Sequence, residues 1–86
     1  MSFQIQNNPA EIRKSGWAKI PNFSTFVDVA VNGLESTDVI LISKKELATG
    51  TVWWANHQTS TTIRISQNIA AVLAGSSYWY VVLKEV

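Results

Sequence analysis

From Gly16 onward, apolar and polar residues alternate in short runs rich in β-branched and aromatic side chains, with turn residues between them. Turn signals recur about every 8 to 12 positions, which is the signature of an all-β sandwich or barrel. Six strands are predicted. The first spans Gly16 to Ile20 and is closed by Pro21 and Asn22. In the second, Thr25 to Val31, the residues Val27, Val29 and Val31 alternate with Phe26, Asp28 and Ala30, and Asn32-Gly33 supplies the turn. The third, Asp38 to Ser43, reads DVILIS, an apolar run that suits a strand covered on both faces. The fourth covers Thr51 to Ala55, the fifth Thr61 to Ser66 and the sixth Ser77 to Leu83. Between the last two, Ile69, Val72 and Leu73 fall at i, i+3 and i+4, so Ser66 to Gly75 is expected to make one or two helical turns ended by Gly75. Residues 1–14 read as an N-terminal arm and residues 15–86 as one small antiparallel β-sandwich or barrel.

The same alternation raises a difficulty with the aromatics. Neighbouring strand residues point to opposite faces, so Trp53 and Trp54 cannot enter one core together. One of the pair must leave it. On the second strand the three valines claim the inner face, which turns Phe26 outward. The last strand is large and apolar on both faces, with Trp79, Val81 and Leu83 on one and Tyr78, Tyr80 and Val82 on the other. Two packed sheets enclose a single core, so the second apolar face needs a separate cover. Another subunit, the N-terminal arm or the Ser66 to Gly75 segment, and a sugar stacked on the rings are the three candidates. Trp, Tyr and Phe are enriched in interface cores, which places the subunit first. Asn56, His57 and Gln58 beside the tryptophan pair suit the sugar, because amides match its hydroxyls.

Composition sharpens this picture. Charged residues are 15 % of the chain, against about 25 % in an average domain, so part of the surface is expected to meet something other than water. An 86-residue domain buries only about 60 to 65 % of its extended-chain surface, and with no cysteine neither disulfides nor thiolate metal sites can staple it. Oligomerisation is the staple that remains. A net charge of +1 without a basic run lacks the footprint that phosphate backbones require, so no nucleic-acid partner is expected. No apolar run reaches the roughly 18 residues needed to span a bilayer, and membrane insertion is not expected.

Reaction chemistry is thinly represented. Glycoside hydrolysis needs two carboxylates about 5 to 10 Å apart, and Glu11, Asp28, Glu35, Asp38, Glu46 and Glu85 share no spacing that places two on one face of one element. Asp38 reads as a strand-start residue bonding nearby backbone N–H groups. His57, the single histidine, reads as an exposed loop residue, although three copies around a threefold axis could converge on a metal or anion. Lys44-Lys45 reads as a solubilising loop pair. No enzyme activity, no cofactor and no resident metal are expected.

The run KSGWAKIPNFSTFVDVAVNGLESTDVILIS resembles small β-sandwich modules of bacteriophage structural proteins, found in tail-fibre tips and on virion surfaces. The matching residues are Gly16, Ala18, Ile20 and Pro21, then Val27, Val29 and Val31, then Gly33, Leu34, Asp38, Val39, Ile40 and Leu41. Gly50, Trp53-Trp54, Thr61 to Ile65 and Tyr80-Val81-Val82 follow in the same order, so the likeness covers roughly residues 15–84. Such modules are usually appended to a longer fibre or capsid protein, whereas this chain is expected to stand by itself. The resemblance implies a structural protein of the virion, made in the host cytoplasm, often trimeric and in contact with other virion proteins. On this reading the contact candidates are Trp53, Trp54, Phe26, Tyr78, Trp79, Tyr80, Asn56 and His57. The alternative is a carbohydrate- or receptor-binding module that meets a host-surface glycan through an exposed tryptophan. A small antiviral or toxin-like binding protein is a third and more distant reading.

Overall fold

The computed structural model describes residues 10–46, 50–71 and 75–85. Their strands are β1 (Ala10–Ile20), β2 (Phe26–Ala30), β3 (Val39–Lys44), β4 (Trp53–Thr59), β5 (Thr62–Gln67) and β6 (Ser76–Glu85). They form two three-stranded antiparallel sheets, ordered β1-β6-β3 and β2-β5-β4. The protein is all-β, as the alternation predicts, and the two sheets pack face to face as a small sandwich.

Register decides which side chains meet. Tyr78, Tyr80 and Val82 of β6 turn inward beside Ala18 of β1 and Ile40 and Ile42 of β3. Facing them, Ile63 and Ile65 of β5 lie between Val27 and Val29 of β2 and Ala55 of β4. Ile20, Val31 and Ala71 close the ends of this core. Tyr78 is fully buried, and its hydroxyl donates to Gln67 Oε1 at 2.7 Å, which ties β6 to β5 across the sandwich. Gly75 stands at φ +75°, and a Cβ there would lie 2.4 Å from the Ile20 carbonyl oxygen, so only glycine fits this entry to β6.

Four expectations change. Ala10–Lys14 belong to β1 and not to an arm, because β6 continues to Glu85 and its backbone groups pair with them; residues 1–9 lie outside the described residues. The register shifts between Ile12 and Lys14, a bulge at Arg13 that hid this stretch from an alternation test. β4 runs on to Thr59, so Asn56, His57 and Gln58 are strand residues and the turn sits at Ser60-Thr61. Ser66 and Gln67 end β5, and the described residues up to Ala71 are not helical; residues 72–74 lie outside the description. β3 is an edge strand covered on one face only, with Val39 and Leu41 exposed.

Removing the Tyr78 hydroxyl leaves the Gln67 acceptor buried without its partner. Tyr78→Phe is therefore expected to lower stability in urea unfolding by about 1–2 kcal/mol. Burial pushes the Tyr78 phenol up to about 12. The unfolded phenol ionises near pH 10 while the folded one does not, so wild-type stability should fall from about pH 10 to about pH 12, with a smaller alkaline loss in Tyr78→Phe.

Candidate functional site

The outer side of the β1-β6-β3 sheet is built from rows that cross all three strands. Ile12, Leu83 and Val39 form one row; Ser15, Val81 and Leu41 the next; Trp17, Trp79 and Ser43 the third. Ile12, Trp17, Val39, Leu41 and Trp79 are 39–64 % exposed, and Val81 and Leu83 are half-buried among them. The two indoles meet edge to face, with ring centroids 5.3 Å apart. Beyond that row charge enters, where Lys19 pairs with Ser77 and the Lys45 ammonium stands 5.9 Å from the Trp17 ring. Trp17, Ala18, Lys19, Lys45 and Ser77 line a shallow cleft of about 260 Å³ there. An open, contiguous apolar patch of this kind is a candidate contact surface.

The outer side of the β2-β5-β4 sheet has a different character. Phe26 and Trp54 flank the buried Ser66 in one row, and Asp28, Arg64 and Asn56 form the next. Arg64 grips Asp28 through two hydrogen bonds, Nε to Oδ1 at 2.7 Å and Nη2 to Oδ2 at 3.0 Å, while its guanidinium carbon lies 4.0 Å from the Phe26 ring centroid. The Arg64 hydrogen bond holds the Asp28 carboxyl below the usual carboxylate range. The pair is charge-neutral, leaving an aromatic and hydrogen-bonding surface centred on Trp54, which is 47 % exposed.

At one end of the sandwich a cavity of about 290 Å³ opens beside Leu34, Glu35, His57 and Thr59. Of its lining residues, Glu35 belongs to an ion network beside the cavity. Arg13 Nε donates to Asp38 Oδ2 at 2.5 Å and Nη2 to Glu35 Oε1 at 2.9 Å, and the Glu35 backbone N–H donates to the same Asp38 oxygen at 3.1 Å. The Asp38 side chain is almost fully covered. Asp38 thus makes the turn-side backbone bond expected of it, with a strong cation added. His57 Nε2 lies 2.9 Å from the Asp38 carbonyl oxygen, which can only accept, so Nε2 is the donor. This corrects the reading of His57 as an exposed loop residue: alternation along β4 turns it inward. Both carboxylates share one guanidinium, an arrangement that holds backbone in place. Among the described residues no three His, Cys, Asp or Glu side chains gather to hold a metal ion.

The candidate contact residues are therefore not brought together. Trp54, Phe26 and Asn56 share one outer face, and Trp79 lies on the other. Tyr78 and Tyr80 are core, so their candidacy as surface contacts is corrected: the inner face of β6 is the tyrosine face. Trp53 turns inward at the rim of the core, its ring edge-on to Tyr78 at 6.1 Å. Lys44 and Lys45 also part company, Lys44 tucking over the Tyr78 ring and pairing with Glu46 while Lys45 leans on Trp17. Trp17, Ile12, Val39 and Leu41 were absent from the candidates; the doubly apolar last strand was the signal that its neighbours needed the same scrutiny. Phe23, 84 % exposed at φ 66°, was missed as well, held in that turn by its N–H to the Ala71 carbonyl. No family model, no curated protein and no solved structure matches the chain.

Arg13, foremost by its hydrogen bond, holds the Asp38 carboxyl below its unfolded value. The stabilisation this brings is complete above about pH 4 and is lost as pH falls through the lower folded value. Asp38→Asn should lower the thermal midpoint at neutral pH and approach wild type as the pH falls below the lowered folded value, whereas Glu35→Gln, whose partner is the exposed arm of the network, should have a clearly smaller effect.

Proposed function

We propose that this chain is a non-enzymatic structural subunit of a bacteriophage particle, displayed on the virion or cementing it. The apolar outer face of the β1-β6-β3 sheet carries the reading. A surface of seven apolar residues that includes two tryptophans gains its free energy by being covered, and a structural subunit is covered by its neighbours. The resemblance of residues 15–84 to virion surface modules supports the setting. Mechanism here is complementarity multiplied by copy number, since weak contacts repeated across a particle give tight attachment. Quantitative mass spectrometry of purified particles tests it. Hundreds of copies per particle mark capsid decoration, a number in the range of three to eighteen marks tail or fibre, and absence from particles overturns the proposal.

The Trp54 surface favours a second reading, contact with a host-surface saccharide. An exposed indole offers an apolar platform, Asn56 offers amide donors and an acceptor, and the mutually neutralised Asp28 and Arg64 impose no charge on the ligand. Titrating the protein with neutral cell-wall glycans should shift tryptophan emission. The shift should vanish in Trp54→Ala, which ought to fold normally because its ring lies outside the core. Flat titrations across a broad glycan panel would sink this reading.

A further inference from the structure

We infer that a second copy of this chain covers the β1-β6-β3 face in a twofold pair, sheet against sheet with the two β6 strands antiparallel; this rests on the reading that the chain assembles through that face. A three-stranded sheet face is broad and gently twisted, and the surface that best complements it at the usual spacing of about 10 Å is another sheet.

The row order selects the second copy and its orientation. Along the strands the face runs from an aliphatic end (Ile12, Leu83, Val39), through the Ser15, Val81 and Leu41 row, to the indole pair, and then to Lys19 and Lys45. A twofold axis lying along the Ser15, Val81 and Leu41 row sets Trp17 of one copy over Ile12 of the other and Trp79 over Leu83, bulky rings against smaller aliphatic side chains. The lysines then stand at opposite ends of the interface. An axis parallel to the strands instead sets the indole rows on each other and gathers all four lysines at one end, where they repel. No charged side chain stands in the three apolar rows, so closing the pair desolvates no unpaired ion. The exposed parts of the apolar side chains amount to an area on the order of 500 Å² per copy, or about 1,000 Å² for the pair, the lower end of specific interfaces. One flat patch facing its own symmetry mate closes at two copies, in place of the threefold arrangement that the resemblance implies.

Leu41 sits on the proposed axis, opposite its own copy, and is exposed on an edge strand, so charge there disturbs the pair before it disturbs the fold. Sedimentation velocity on the full chain should give the mass of two copies at high concentration and dissociation on dilution. Leu41→Glu and Leu41→Lys, each checked for wild-type circular dichroism, should sediment as single chains, and their equimolar mixture should recover the pair. A wild-type mass of one chain at every concentration, a mass of three, or a mixture that stays dissociated overturns the inference. A pair formed by a chain absent from phage particles leaves this inference standing and overturns the virion reading, whereas a particle-bound chain that never pairs overturns this inference alone.

Discussion

β6 lies between β1 and β3, and its backbone is hydrogen-bonded on both sides, so the only freedom left to it is which side chains face which way. Pleating settles that by position alone. Tyr78, Tyr80 and Val82 go to the interior, where Tyr78 reaches across the sandwich to Gln67 and gives the Trp53 ring an edge to pack on. Trp79, Val81 and Leu83 go outward in the same step. Every residue paired with β6 inherits the choice, which is why Trp17, Ile12, Val39 and Leu41 emerge on the outer side while Ala18, Ile40 and Ile42 join the core.

The charges are distributed to fit these two apolar layers. Arg13 leaves β1 at the bulge to reach Asp38 and Glu35, Lys14 donates to the Ala30 carbonyl, Lys44 pairs with Glu46 and Arg64 with Asp28. Each of these pairings lies off the outer β1-β6-β3 surface. The low charge content is therefore a regional property: one face carries almost none of it. The Arg13 network also performs a structural service, since it fixes the Glu35 to Asp38 turn against β1 where the two sheets part.

β2 and β5 were legible because valine and isoleucine alternate there with polar residues, the simplest case of a half-buried strand. β4 was not, since ANHQT looks like a turn until pairing with β5 sends His57 inward beneath Asp38. The start of β1 was hidden by its bulge and by the polar residues that an edge strand tolerates. DVILIS was legible as a strand but misleading about cover, because a run of four apolar residues does not say whether its second face meets the same chain or another. That one of Trp53 and Trp54 leaves the core followed from alternation; which one depends on the register of β4 against β5. The Arg13 to Asp38 ion pair, 25 residues apart in sequence, leaves no local trace.

The two outer faces divide the contacts this small domain can make. Covering the apolar side leaves Trp54, Asn56 and the Asp28–Arg64 pair in water, so assembly and a second contact do not compete for the same residues. They also draw on different energies. The apolar side gains by removing area from water and is nearly blind to salt, while the exposed Asp28–Arg64 pair is screened and contributes orientation more than strength. Among the described residues eight apolar side chains are buried, a small core. Anything that binds the folded chain and not the unfolded one adds its binding free energy to the fold, so cover on the β1-β6-β3 face stabilises each domain as it joins them. On the proposed reading, the exposed Trp17 and Trp79 are core residues whose second layer a neighbouring chain supplies.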